Sequence, residues 1–183
     1  VGAVVTHAHF DHFYGLAAFD DLPTYGHESL EAALQADQVA AEAADLGFDP
    51  EELRAPNRPL ALARMIDLGD RHVEIVHFGP GHTAGDVVVI VPDADVIVTG
   101  DLYEQSAPPA MGADCHLKAW PVALDGILGL VNERTLLVPG HGEPFDRVFA
   151  FTQRAEISAV YGQVEYLIAQ GVKNIFTHGF MSF

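Results

Sequence analysis

Short apolar runs alternate along this chain with longer segments in which apolar residues recur every three or four positions. The runs at residues 3–6, 73–78, 87–91, 96–100 and 136–138 have the length and β-branched composition of buried strands. Helical spacing predicts helices over residues 29–46, 119–130 and 146–170. The first is expected to be capped by Ser29 and to end at Gly47. This alternation of strands and helices predicts an α/β fold.

The apolar stripe of each long helix is expected to pack into the core rather than to hold a cofactor. In the helix at 29–46 the stripe consists of Leu30, Leu34, Val39, Ala43 and Leu46. In the helix at 146–170 it consists of Val148, Phe151, Val160, Val164 and Leu167.

Residues that could bind a metal are most concentrated just after the first apolar run, where residues 6–12 are Thr-His-Ala-His-Phe-Asp-His. At the end of a strand, His7 and His9 share one face, and a tight turn can aim Asp11 and His12 at a neighbouring position. Neutral imidazole and carboxylate suit zinc and related divalent ions, whereas thiolates would indicate a closed structural site. The segment therefore predicts a metal centre.

Three later strand-like runs also end in residues of the metal-binding types. His82 lies in the glycine-rich loop 79–86, Asp101 follows Gly100, and His141 follows Pro139 and Gly140. Loops that a rigid sheet holds in place commonly carry binding and catalytic residues. We therefore expect these side chains to join the first cluster.

This pattern resembles the signature of the metallo-β-lactamase superfamily from the first residue to about residue 144. All seven ligand positions of that signature are filled, by His7, His9, Asp11, His12, His82, Asp101 and His141. The resemblance implies a four-layer αββα sandwich with the metals at one edge between two sheets. It places one metal on His7, His9 and His82 and the second on Asp11, His12 and His141, with Asp101 as the bridge. Two Zn²⁺ ions per chain are expected, with Fe or Mn as alternatives.

The residues suit such a division of roles. A carboxylate can join two cations about 3.5 to 4 Å apart, the spacing of two-metal hydrolytic sites. A hydroxide held between them would be the nucleophile, because zinc lowers the pKa of bound water to about 7. Asp11 is expected to orient this hydroxide and later to pass a proton to the leaving group.

Asp101 is the main discriminator between the reactions known in the superfamily. By resemblance, true β-lactamases usually carry cysteine or a non-ligand there, so Asp101 favours glyoxalase II, lactonase and related hydrolases. Tyr103 lies near the position of a lactonase tyrosine and is a further catalytic candidate, with a half-buried loop aromatic as the alternative. We expect hydrolysis of an ester, thioester or lactone. The alternatives are a mononuclear iron dioxygenase of the persulfide type, a β-lactam hydrolase and a non-catalytic fragment.

The irregular segment 104–120 directly follows Asp101, and we expect it to wall the substrate cleft together with Tyr103. Trp120 is expected either to join this wall or to pack in the core. The remaining histidines are weaker candidates. His27, His72 and His77 are expected to be structural, His116 to be an exposed loop residue, and His178 has no partner pattern.

The 183 residues include 9 Lys and Arg against 26 Asp and Glu, a formal charge of −17. This size suits a single domain over residues 1–183. The acidic balance disfavours nucleic acid and anionic membranes and leaves a small-molecule substrate as the expected partner. Cys115 is the sole cysteine, so an intramolecular disulfide is excluded. With neither a secretory segment nor a spanning apolar run visible, a cytoplasmic location is expected.

Only six residues precede His7, whereas members of the family usually carry several strands before this motif. We therefore expect either an N-terminally incomplete domain or a partner subunit that supplies the missing surface. In the second case residues 1–5 would form an open sheet edge that pairs in a homodimer.

Overall fold

The computed structural model describes residues 2–172 and contains two β-sheets. The first sheet consists of three parallel strands in the order β1 (Ala3–Val4), β2 (Thr24–His27) and β3 (Arg58–Leu60). The second has the order β4 (Ala63–Asp67), β5 (His72–Val76), β6 (Val88–Val91), β7 (Val96–Gly100) and β8 (Leu136–Pro139). In this second sheet, adjacent strands from β4 to β7 pair antiparallel, and β7 and β8 pair parallel. The carboxyl ends of β7 and β8 therefore meet at one edge of the sheet.

The described residues form α1 (Phe10–Phe13), α2 (Ser29–Leu34), α3 (Asp37–Asp45), α4 (Trp120–Leu128) and α5 (Arg147–Ala169). Short 3₁₀ turns lie at Tyr14–Phe19, Pro50–Glu52 and Pro92–Ala94.

Three apolar clusters divide the fold into four layers. The first joins α2 and α3 to the first sheet and includes Val5, Phe13, Leu30 and Ala43. The second lies between the two sheets and is formed by Leu60, Ile75 and Val87. The largest joins the second sheet to α4 and α5 and includes Ile97, Leu124, Leu137 and Ile157. This order of helices, sheet, sheet and helices confirms the predicted αββα sandwich.

The single helix predicted over residues 29–46 is wrong, because the chain breaks at Gln35 and Ala36 into α2 and α3. Leu30 and Ala43 are both fully buried in the same cluster. A straight helix would separate them by about 20 Å, so the break is what lets both reach one core.

The predicted Ser29 cap is also wrong. Ser29 is the first helical residue, and its hydroxyl lies 2.8 Å from Nδ1 of His27. The end of the segment is as predicted, since Gly47 adopts a positive φ of 83° directly after the last helical turn. Of the residues in the predicted apolar stripe, Leu30 and Ala43 are buried as expected, but Leu46 is exposed.

The long helix α5 begins as predicted, with Asp146 accepting hydrogen bonds from the backbone N–H groups of Val148 and Phe149. Its buried face differs from the prediction. Ala150, Gln153 and Ile157 are buried, whereas Val148 and Phe151 are exposed. The helix carries apolar residues on more than one side, so polar contacts fix its rotation: Arg154 pairs with Asp125 of α4, and Gln153 bonds to the backbone of Glu104.

Strand β1 lies at one edge of its sheet and pairs only with β2 within residues 2–172. A homodimer through this edge stays a prediction. No helix in the same part of the chain is both long and apolar enough to cross a bilayer.

Candidate metal centre

Backbone hydrogen bonds bring the four segments with candidate ligands to one edge of the sandwich. The N–H of Val87, just after the His82 loop, donates to the carbonyl of Thr6 at 2.8 Å. The N–H of Gly140 donates to the carbonyl of Gly100 at 3.0 Å, which joins the segments of Asp101 and His141. Gly100 has a φ of 54°, and a Cβ there would lie 2.8 Å from the Cβ of Thr6, so glycine is required on both counts.

The first group contains His7, His9, His82 and Asp101, with one donor atom of each within 4.8 Å of the others. Nδ1 of His9 lies 2.9 Å from Nε2 of His82. Nε2 of His7 and Nε2 of His82 lie 3.7 and 3.6 Å from Oδ2 of Asp101. The three histidines that sequence reasoning assigned to one metal are therefore together.

The second group contains Asp11, His12 and His141. Nε2 of His141 lies 3.0 Å from Oδ2 of Asp11 and 3.1 Å from Nε2 of His12. Asp101 also reaches this group, with Oδ1 3.3 Å from Nε2 of His12 and Oδ2 3.5 Å from Nε2 of His141. Its carboxylate thus lies between the two groups, as a bridging ligand would.

The outer hydrogen bonds of His9 and His82 determine which ring nitrogens carry protons. The carbonyl of Ala110 only accepts, so Nδ1 of His82 donates to it, at 3.1 Å. The carboxylate of Asp114 also accepts, so Nε2 of His9 donates to it, at 3.0 Å. When both rings are neutral, their inner nitrogens therefore carry lone pairs that face each other. Lone pairs at such a separation repel unless a cation lies between them, so these donors fit a metal ion.

Burial keeps the inner imidazoles neutral. It lowers the pKa of His82 to about 4, with the neighbouring His9 as the second cause. It lowers the pKa of His7 still further, helped by His12 and His82. Neutral imidazole is the form that binds metal ions, so these two rings are ready to bind at neutral pH.

Two buried polar atoms at the centre lack hydrogen-bond partners within the described residues, Nε2 of His7 and Oδ1 of Asp101. Leaving such groups unpaired costs on the order of 1–3 kcal/mol each. Burial also raises the pKa of Asp101, against the opposing effect of His12 and His141. A shared cation would satisfy both atoms and would stabilise the ionised carboxylate.

Asp86 holds the loop that carries His82. Its buried carboxylate accepts hydrogen bonds from the N–H groups of Gly81 and Thr83, both at 3.0 Å, and from the Thr83 hydroxyl at 2.8 Å. These donors flank His82 on both sides. Burial raises the pKa of Asp86 to about 7, although these hydrogen bonds oppose the rise.

The catalytic role expected of Tyr103 is wrong, because the structure places this residue in the hydrophobic core. Tyr103 is fully buried and packs against Phe145 with ring centroids 5.3 Å apart. The charges that act on its hydroxyl are those of Asp125 on α4 and Arg154 on α5, so the side chain points into the helical layer. Tyr103 is thus a core residue, more deeply buried than the half-buried loop aromatic that the sequence offered as the alternative.

Trp120 is also buried and lies behind a ligand rather than along a cleft. Its Nε1–H donates to the carbonyl of Leu102 at 3.1 Å, and its ring lies 5.5 Å from that of His82. A cleft wall formed by the rest of the segment 104–120 stays a prediction.

Sequence reasoning missed two acidic residues at the centre, Glu104 and Asp114. A carboxylate oxygen of Glu104 lies within 4.8 Å of donor atoms of Asp101 and His141. Asp114 supports His9, as described above. Both belong to an irregular segment, where spacing does not show which side chains turn inward; proximity to Asp101 was the only available signal.

The other histidines mostly have the structural roles predicted for them. The rings of His27 and His77 lie 4.1 Å apart, and Nδ1 of His77 donates to the carbonyl of Asp86. His72 is exposed beside Glu74. His116 is an exposed loop residue, and His178 lies outside the described residues.

Comparison with known proteins agrees with this geometry. Metallo-beta-lactamase type 2 from Bacillus cereus is 27% identical over 146 residues, which cover 79% of this chain and 52% of that protein. The human acyl-coenzyme A thioesterase MBLAC2 is 30% identical over 167 residues, covering 80% of this chain and 58% of that protein. The chain therefore spans little more than half the length of these relatives.

Solved structures share the fold. A metallo-beta-lactamase from Pontibacter korlensis matches with a TM-score of 0.66 and 25% identity, covering 86% of this chain and 68% of that one. The DIM-1 metallo-beta-lactamase matches with a TM-score of 0.64 and 21% identity, covering 87% and 69%. The family model described as the metallo-beta-lactamase superfamily matches residues 2–142. The chain belongs to the metallo-β-lactamase superfamily.

Proposed function

We propose that this chain is a hydrolase that holds two divalent cations, in the first instance zinc, and cleaves an ester, thioester or lactone. The observation that carries the proposal is the position of Asp101, whose two oxygens lie 3.3 to 3.7 Å from histidine nitrogens of both groups. A carboxylate in this position suits a two-metal hydrolytic centre. When bound, the cations would supply Lewis acidity and lower the pKa of coordinated water to about 7.

The exposure of the ligands indicates the side from which substrate approaches. His7, His82 and Asp101 are buried and form the floor of the centre. Asp11 and His141 are more open, with 33% and 41% of their side-chain surface exposed. His9 is exposed to a similar extent, at 32%, so a carbonyl substrate would reach the centre from the open side that Asp11, His141 and His9 share. Asp11 would take a proton from the attacking water and return it to the leaving group.

A thioester is the acyl class to test first, because MBLAC2 is named as an acyl-coenzyme A thioesterase and is similar over most of this chain. A β-lactam is the second candidate, supported by the similarity to metallo-beta-lactamase type 2. Asp101 favours the first, since the resemblance assigns cysteine or a non-ligand to this position in true β-lactamases.

Metal content and a substrate panel test the proposal together. Elemental analysis of the purified chain should give close to two zinc atoms, and one iron atom would favour oxygen chemistry instead. Hydrolysis of matched ester, thioester, lactone and lactam substrates then identifies the bond that is cleaved. His82→Ala should lose metal and activity together, and retention of both would contradict the assignment of the three-histidine position.

A further inference from the structure

Glu104 lies beside the second group of ligands although the superfamily signature gives it no role. A carboxylate oxygen of Glu104, one of Asp101 and a ring nitrogen of His141 lie within 4.8 Å of one another. Two donors that bind one cation at about 2.0–2.6 Å are separated by no more than about 4–5 Å. Glu104 is therefore at ligand distance from the same space as Asp101 and His141.

The backbone of Glu104 is fixed from behind by a buried amide. Its N–H donates to Oε1 of Gln153 at 3.0 Å, and Nε2 of Gln153 donates to its carbonyl at 2.6 Å. Gln153 lies on α5 and is only 4% exposed. This pair of hydrogen bonds fixes the point from which the Glu104 side chain leaves the core.

One carboxylate oxygen of the Glu104 side chain is hydrogen-bonded within the protein. Oε1 accepts from the N–H of Ser106 at 3.1 Å and from its hydroxyl at 2.5 Å. The hydrogen bonds recorded within residues 2–172 give Oε2 no donor. The residue is nevertheless buried, with 8% of its surface exposed. Oε2 is not among the buried atoms that lack a partner in the described residues, so it retains contact with solvent on the side of the centre where a cation would have access to it.

Asp101 provides an independent indication of a cation. It is only 9% exposed, and its Oδ1 is a buried atom without a hydrogen-bond partner in the described part of the chain. The ion pairs found there give Asp11 and Asp101 only histidine partners and give Glu104 none. Lysine and arginine thus do not neutralise the three carboxylates, which repel one another unless a cation lies among them.

We propose that Glu104 is an additional oxygen ligand of the second metal position and that it adapts this position to a harder cation, such as Mn²⁺. The inference rests on the two-cation centre proposed above. Asp11, His12 and His141 form one group within 4.8 Å, and Asp101, Glu104 and His141 form another, so the second position would draw on both groups through the His141 that they share. A position rich in carboxylate oxygens suits Mn²⁺. Three imidazoles and one solvent molecule suit four-coordinate zinc. The second position would therefore accept Mn²⁺ as well as zinc, whereas the first would favour zinc.

Metal titration of the Glu104→Gln variant tests the inference without depending on turnover. The metal-free chain is first given one equivalent of Zn²⁺ and is then titrated with Mn²⁺, the free Mn²⁺ being followed by electron paramagnetic resonance. Wild type should bind one Mn²⁺ beside the zinc. Glu104→Gln should weaken that Mn²⁺ at least tenfold while the zinc stoichiometry stays at one.

Two controls separate ligation from charge and from local structure. Glu143→Gln removes an exposed carboxylate two residues after His141, and it should leave Mn²⁺ binding unchanged. Ser106→Ala removes a hydrogen bond to Glu104 but keeps the carboxylate, so Mn²⁺ should still bind. Where Glu104→Gln does not fold, Glu104→Asp keeps the charge and withdraws the carboxylate by one methylene. It should weaken Mn²⁺ in the same way.

Unchanged Mn²⁺ affinity in folded Glu104→Gln, or in Glu104→Asp where that variant replaces it, would overturn the role of Glu104 and leave the two-cation hydrolase standing. Wild type that takes up only one cation in total would instead refute the two-cation centre itself, and with it this inference.

Discussion

The imidazole of His9 lies between His82 and Asp114. Its Nε2 donates to Oδ2 of Asp114 at 3.0 Å, and its Nδ1 faces His82. The same irregular segment supports a second ligand, since the carbonyl of Ala110 accepts from Nδ1 of His82. Two of the three histidines of the first group are thus oriented by residues 104–120. A carboxylate that accepts the outer proton of a metal-binding histidine fixes its tautomer and makes it a stronger ligand.

Replacing Asp114 by alanine should therefore weaken the metal at the three-histidine position. We expect a loss of affinity on the order of 10- to 100-fold, the usual effect of removing such a partner. Competition with a chelator measures it, since the variant should release its first zinc at lower chelator concentrations. Asp70→Asn removes an exposed charge elsewhere and should behave as wild type. Equal zinc retention by the Asp114 variant would mean that this exposed hydrogen bond does not position His9.

The residues that gather at the candidate metal centre could be predicted from sequence because each follows a strand end in a fixed pattern. An apolar run that ends in glycine, such as the one that forms β7, predicts where a strand ends. It also indicates that the next residue, here Asp101, lies at that end of the strand. Strands β2, β3 and β4 were not predicted, since Thr24–His27 contains a glycine, Arg58–Leu60 a proline, and Ala63–Asp67 is largely exposed. Pairing with neighbours, and not local preference, makes these segments extended.

Side-chain direction was the other limit of the sequence. The positions of Tyr103 and Glu104 next to Asp101 were visible, but the turn after Asp101 sends Tyr103 into the core and Glu104 towards His141. The directions of these two side chains depend on contacts with Phe145 and Gln153, which lie more than forty residues away along the chain.

Asp101→Ala should empty the second metal position before the first. The change removes the carboxylate between the groups but leaves the three histidines of the first, which suffice for zinc. Elemental analysis after dialysis should show the ratio of zinc to protein falling from near two towards one. A ratio that stays the same as in wild type would show that Asp101 is not a bridge.

Gly140→Ala should disturb the same carboxylate by steric conflict. A Cβ at Gly140 would collide with Oδ1 of Asp101 and would lie 3.0 Å from Cε1 of His12. Overpacking of this kind costs about 1–3 kcal/mol, so denaturant unfolding should show lower stability and elemental analysis less second-site metal. Gly162→Ala is the matched control, because nothing lies within 4 Å of its added Cβ. That helix substitution should raise stability by about 0.5–1 kcal/mol.

Tyr103→Phe should leave metal content and turnover intact, because the hydroxyl points into the core and has no hydrogen-bond partner in the described residues. Removing an unsatisfied buried hydroxyl should raise the free energy of unfolding by on the order of 1 kcal/mol. Thermal unfolding, zinc analysis and a turnover assay on the two proteins measure these effects. A large fall in turnover with metal retained would return Tyr103 to the site and contradict its placement in the core.

Asp86 should make the stability of the protein depend on pH. Its pKa is raised to about 7, chiefly by burial, so between about pH 4 and pH 7 the folded protein holds a proton that the unfolded chain has lost. The stability that this group contributes is therefore greatest below about pH 4 and falls as the pH rises to about 7. Asp86→Asn keeps an oxygen acceptor for the N–H groups of Gly81 and Thr83 but cannot ionise.

Urea unfolding of wild type and Asp86→Asn at about pH 4.5 and about pH 7.5 measures this dependence. The free energy of unfolding of the variant minus that of wild type should become more positive at the higher pH, because only wild type must then ionise a buried carboxyl. Taking the difference cancels the protons that the histidines gain or lose in both proteins. A difference that is the same at both pH values would mean that the hydrogen bonds from Gly81 and Thr83 outweigh burial and keep Asp86 ionised throughout.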